Sequence, residues 1–141
     1  MRKFLIPLLL VVLASCSQVP SVKDRDVPSA FFVFFDENSA KPVEGSTKIL
    51  DEVSAFLKYY DDLSVSIVGQ RAISETSDKT DGPLDAQRAA VVAAQLQRRG
   101  IEIGRMVVDS KDVSESMAVA AGGDNAVDQR VDIMIRIVPA L

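Results

Sequence analysis

The sequence predicts an α+β domain of two layers, with helices packed on one face of a sheet, in the order β-α-β-α-β-β. Three observations carry this. Leu63, Val65, Ile67 and Gly69 alternate with Ser64 and Ser66, the pattern of a strand with one covered face. Ile49, Leu50, Val53, Phe56, Leu57 and Tyr60 recur at helical spacing and give one apolar stripe. The two kinds of segment take turns along the chain, which suits helices laid over a single sheet.

The elements follow in order. Phe31-Phe32-Val33-Phe34-Phe35 is a dense β-forming run stopped by Asp36-Glu37-Asn38, and a run this apolar predicts a strand buried on both faces. Pro42 sits where a helix would begin, with Glu44 in its first turn, and that helix should end near Tyr60. After the alternating strand, Gln70 to Gly82 is polar and turn-rich and reads as an exposed loop. Pro83 opens a second helix that carries Ala89, Val92, Ala93 and Leu96 inward, and Arg98-Arg99-Gly100 closes it. Arg105 to Ser110 reads as a third strand, and the small, acidic residues 111–127 as a loop or short helix. Val131, Ile133, Ile135 and Ile137 alternate with Asp132, Met134 and Arg136 in a last strand. No internal repeat and no second domain are visible.

Composition narrows the chemistry. The chain has 141 residues, of which 48% are hydrophobic, enough for one compact core. It has no histidine, and Cys16 is its single cysteine. Nucleophilic systems that need an imidazole are therefore excluded, zinc sites lack their usual ligands, and an internal disulfide is impossible. No cofactor is implied. The net charge of -4 falls to about -6 without Arg2 and Lys3, so nothing favours a nucleic-acid partner.

The first sixteen residues have their own logic. Arg2 and Lys3 precede the apolar stretch from Phe4 to Leu13, which is about half the length of a membrane-spanning helix. It ends in Leu13-Ala14-Ser15-Cys16, which resembles the lipobox of bacterial lipoproteins, with Cys16 as the residue that is acylated. Residues 1–15 then read as a signal peptide and 16–30 as a lipidated N-terminus and tether, with Pro20 and Pro28 in a polar, aperiodic stretch. The competing reading is an ordinary secretory signal with an incidental cysteine. Two or three acyl chains, palmitate among them, hold a protein firmly where one does not. Ser17 after the cysteine resembles the pattern passed on to the outer membrane, with the domain in the periplasm.

With the element order in hand, residues 31–138 resemble the OmpA-like peptidoglycan-binding domain family. The motifs are Phe34-Phe35-Asp36, the proline of Pro42-Val43-Glu44-Gly45, Leu84-Asp85-Ala86-Gln87-Arg88-Ala89 for the family's Leu-Ser-x-x-Arg-Ala, and Asp128-Gln129-Arg130-Val131 for its Asn-Arg-Arg-Val. The family's Gly-His-Thr-Asp reads Gly69-Gln70-Arg71-Ala72 here, and its Gly-Tyr-Gly-like segment reads Asp109-Ser110-Lys111. The resemblance implies a mixed four-stranded sheet covered by helices on one side.

It also implies a site. Family members grip the diaminopimelate unit of peptidoglycan stem peptides, with an acid for its ammonium and a guanidinium for its carboxylate. Arg88 stands at the position of the guanidinium and Arg130 at that of a second family arginine. The bland alternatives are a solvated helix arginine paired with Asp85, and a strand cap. Ala72 stands where the family has its acid, Arg71 brings a like charge beside it, and Glu75, Asp78 and Asp81 are candidate substitutes. The cell-wall reading expects Arg88 to face an open groove. Two functions follow. One is a non-enzymatic outer-membrane lipoprotein that binds peptidoglycan and tethers membrane to wall. The other is a degenerate OmpA-like domain that contacts envelope proteins in a secretion or transport assembly. An enzyme is a distant third.

Overall fold

The structure is a computed structural model that describes residues 28–72, 75, 82–111 and 128–137. The signal segment, Cys16, most of the tether, Asp78, Asp81 and residues 112–127 lie outside the described residues. Among the described residues four strands and two α-helices follow one another: β1 (Ala30–Phe34), α1 (Ile49–Tyr59), β2 (Leu63–Gly69), α2 (Leu84–Arg98), β3 (Met106–Ser110) and β4 (Arg130–Ile137). Short 3-10 turns at Ser46–Lys48 and Ile103–Arg105 lead into α1 and β3.

The sheet has the order β1-β4-β2-β3. β4 runs antiparallel to both β1 and β2, while β2 and β3 are parallel, so the sheet is mixed. The parallel pair needs a crossover, and α2 supplies it. Register follows the side-chain pattern. Phe31 opposes Ile133, Val33 opposes Val131, and Ile67 opposes Ile133 from the other side, which lines the apolar residues of three strands along one face.

Both helices cover that face. α1 buries Leu50, Val53 and Leu57, and α2 buries Ala89, Val92 and Leu96, all at 0% exposure. Each large aliphatic side chain so buried contributes about 1.5–3 kcal/mol, so the two-layer arrangement is where most of the folding drive resides. α2 ends as its sequence predicts. Gly100 takes φ +84, its N–H donates to Gln97 O, and the Ile101 N–H donates to Leu96 O, the paired bonds of a Schellman cap.

β2 is buried on both faces and not on one, since Ser66 and Val68 are buried along with Leu63, Val65 and Ile67. Three further expectations are corrected. Pro42 does not open a helix; it bridges to Phe35, and α1 begins seven residues later at Ile49. A proline serves a tight turn after a strand as well as it serves a helix start, and here the turn wins, closed by Asp36 N–H to Lys41 O and Val43 N–H to Phe34 O. The acids of the first turn of α1 are accordingly Asp51 and Glu52, not Glu44. Second, β1 is not buried on both faces: Phe32 is 47% and Phe34 is 42% exposed. It is an edge strand whose outward side chains sit on the face the helices leave open. Third, the stretch after β2 is not wholly exposed, because Ala72 and Glu75 are both buried.

Candidate functional site

The site forms where β1, β2 and α2 meet. A Cβ on Gly69 would lie 1.8 Å from the carbonyl oxygen of Asp85, so the end of β2 and the first turn of α2 approach backbone to backbone. That approach sets Arg88, one turn further along α2, against the last residues of β2. The turn after β1 closes the other side, with Asn38 in the left-handed region at φ 51, a conformation asparagine tolerates.

Arg88 does not face an open groove. Its side chain is fully buried, and every one of its five N–H donors is used. Nε donates to Ser39 O at 3.0 Å, Nη1 to Gln70 O at 3.0 Å and Glu75 Oε2 at 2.7 Å, and Nη2 to Asp36 O at 3.1 Å and Glu75 Oε1 at 2.5 Å. The guanidinium also lies over the ring of Phe35, 5.4 Å from its centroid. The expectation of an exposed guanidinium fails because its neighbours come from residues far away in sequence, which no helical pattern reveals.

The acid beside it is Glu75. Its Oε1 accepts from Asn38 N–H and its Oε2 from Ala72 N–H, both at 2.8 Å. Two oxygens thus receive four donors, two from the guanidinium and two from the backbone. Burial alone would push this carboxyl up, but the Arg88 hydrogen bonds and charge, with the Ala72 and Asn38 amides, hold it below its ordinary value. So of the three substitutes weighed for the acid missing at Ala72, Glu75 stands at the arginine. Ala72 contributes its amide instead of a carboxylate.

The remaining charges are arranged differently from expectation. Asp85 pairs with Arg71 rather than with Arg88, at 3.6 Å, and Asp85 Oδ1 is buried without a hydrogen bond among the described residues. Arg71 also reaches Glu75 O at 3.5 Å. Arg130 is not brought to Arg88. It projects from the opposite face of the sheet, where Nε donates to Asp132 Oδ1 at 2.7 Å, Nη1 lies 3.7 Å from Asp128, and the guanidinium sits 5.8 Å from the centroid of Phe32. Asp132 also accepts from Gln70 Nε2. Asp36, Asn38 and Ser39 wall the Arg88 site through their backbone; the sequence marks Asp36 as the end of the aromatic motif but gives none of the three a part in the site. Their only signal was the polar stop after the aromatic strand.

Comparison with solved structures fits this architecture. The peptidoglycan-associated lipoprotein of Burkholderia pseudomallei superposes with a TM-score of 0.64 over 75% of this chain and 90% of its own, at 23% identity. The fold is OmpA-like. The OmpA-like domain of FopA1 from Francisella tularensis gives 0.62 over 78% of this chain and 72% of its own, at 18% identity. The periplasmic domain of Helicobacter pylori MotB gives 0.59 over 81% and 80%, at 14% identity. No protein-family model matches the sequence, and no curated protein matches it significantly. The OmpA-like fold is therefore carried by the pattern of core and turns in a chain whose sequence has moved far from these structures.

Proposed function

We propose that this chain is a non-enzymatic envelope protein whose OmpA-like domain holds peptidoglycan, anchored to the outer membrane through acylated Cys16. The observation that supports the reading is the OmpA-like fold itself, shared with the peptidoglycan-associated lipoprotein; the closed Glu75–Arg88 pair counts against it, since the reading expects Arg88 to face an open groove. Acid and guanidinium are still the two charges that a zwitterionic wall amino acid asks of a site: a planar fork for its carboxylate and a carboxylate for its ammonium. Without ligand the two neutralise each other. With ligand, the internal pair is exchanged for two external ones.

Magnitudes make such binding weak. Two charge-assisted contacts give about 1.5–3 kcal/mol each, while opening a buried ion pair costs about 3–5 kcal/mol. The exchange is nearly balanced, so affinity rests on the rest of the interface. The second reading, contact with another envelope protein in a secretion or transport assembly, is favoured by a specific observation: Arg88 has no N–H left for an outside partner.

Sedimentation with purified sacculi separates the two. The whole chain in mild detergent is expected to co-sediment weakly at low salt. Arg88→Lys, which keeps the charge but loses the fork, is expected to weaken that binding several-fold. A wild-type protein that stays in the supernatant at low salt leaves the protein-contact reading. The anchor is tested separately: Cys16→Ser is expected to abolish membrane retention.

A further inference from the structure

The two ends of the sheet differ in what they present. Arg88, held by Asp36 O, Ser39 O and Gln70 O, closes the end where β1 and β2 finish. The opposite end gathers the start of β1, the end of α1 and the end of β4. Leu63, which opens β2, stands opposite Ile137, which closes β4. Arg105 donates to Leu57 O, Tyr60 O and Leu63 O, so the turn before β3 lies against the end of α1. The chain enters the domain here as well. The Ile135 N–H donates to Ser29 O, which sets Pro28 level with the last residues of β4.

This end carries large apolar side chains in solvent: Tyr59 is 80%, Ile103 69% and Ile137 41% exposed. None of the three belongs to the core cluster. Single exposed apolar residues are ordinary on a protein surface, but three at the end where a lipid-bearing segment enters are placed to meet the lipid. Lys58, Arg98 and Arg136 stand exposed at the same end, with Asp61 and Glu102 among them, so neither sign of charge dominates.

We propose that this end is a membrane-facing surface, on which Tyr59, Ile103 and Ile137 settle into the zwitterionic headgroup layer of the bilayer that holds the N-terminus, with the Arg88 end turned away. This goes beyond the function proposed above and rests on its acylated Cys16. Residues 17–27 join Cys16 to Pro28, a link that reaches at most about 40 Å. So short a link presents this end to the bilayer at an effective concentration on the order of millimolar, and weak contacts then suffice. Tyrosine suits the headgroup level through its apolar ring and polar tip. The three cations can lay their stems along that layer and keep their charges in water.

Cys16 is the single cysteine of the chain, so once it is acylated an introduced cysteine is the only free thiol. The whole lipoprotein with Ile103→Cys, or with Glu37→Cys at the exposed turn of the Arg88 end, is labelled with a fluorophore. Each is reconstituted into phosphatidylcholine vesicles that contain a lipid with a quencher at headgroup depth. The label at 103 is expected to be quenched several-fold more strongly than the label at 37. Adding Tyr59→Ser and Ile137→Ser, both at exposed positions, is expected to bring the label at 103 down to the level of the label at 37. Protein that floats with the vesicles but is quenched alike at both labels keeps the anchor and overturns the docking. Quenching at 103 that ignores the serine substitutions overturns it too. Protein that does not float with the vesicles removes the anchor, and the docking falls with it.

Discussion

Arg88 and Arg130 sit near the same end of one sheet and match two arginines of one family pattern, yet they live in opposite settings. Arg88 is fully buried on the helix-covered face and makes five hydrogen bonds to four residues. Arg130 is on the open face, a fifth exposed, and pairs with near neighbours in its own strand and the turn before it. The contrast teaches that a motif position fixes where a side chain starts from but not what it meets. What it meets is decided by chain that arrives from elsewhere: the turn after β1 and the segment after β2 close over Arg88, while Arg130 meets Asp128, Asp132 and the ring of Phe32.

The contrast can be broken most severely at Arg88. Arg88→Ala removes the partner of a buried carboxylate and is expected to cost about 3–5 kcal/mol in urea unfolding. Arg130→Ala, at a partly solvated pair, is expected to cost about 1 kcal/mol or less. Equal losses would mean that the two guanidinia are held alike.

A subtler change acts on the frame rather than the charge. Gly69→Ala places a methyl where the Asp85 carbonyl already stands, so α2 must shift away from β2. The expected cost is about 1–3 kcal/mol, typical of forced backbone movement. Because the same shift moves Arg88 away from Gln70, Glu75→Ala is expected to cost less in the Gly69→Ala background than in the wild type.

The smallest effect is a matter of pH. The Glu75 carboxyl has a folded value below its ordinary 4.5. Its contribution is therefore complete above the unfolded value and is lost as pH falls through the folded one. The stability gap between wild type and Glu75→Gln is expected to hold between pH 7 and about 5. Below that it should narrow with acid, which urea midpoints measured down the series would show.

Much of the fold was legible in the sequence because its signals are local. Alternation marked β2 and β4, a helical stripe marked α1, and Arg98-Arg99-Gly100 marked the end of α2. Pro42 misled because one residue type serves two local structures equally well, and only the bridge to Phe35 decides between them. Phe32 and Phe34 misled because apolar content predicts burial only where another layer arrives to cover it. The site was half legible. Arg88 and the candidate Glu75 were both visible as residues, but their partnership spans thirteen positions, and the carbonyls that complete it belong to residues 36, 39 and 70. Arg105 was missed for the same reason. It donates to Leu57 O, Tyr60 O and Leu63 O, closing the carbonyl end of α1 onto the start of β2 from more than forty residues away.

What most directly tests this picture is a double-mutant cycle in urea with Arg88→Met, Glu75→Gln and both together. A guanidinium saturated from within predicts a coupling energy of about 2 kcal/mol or more, the double variant losing far less than the two single losses combined. Additivity within about 0.5 kcal/mol would show that the two side chains do not meet, and would contradict the closed pair on which the site rests.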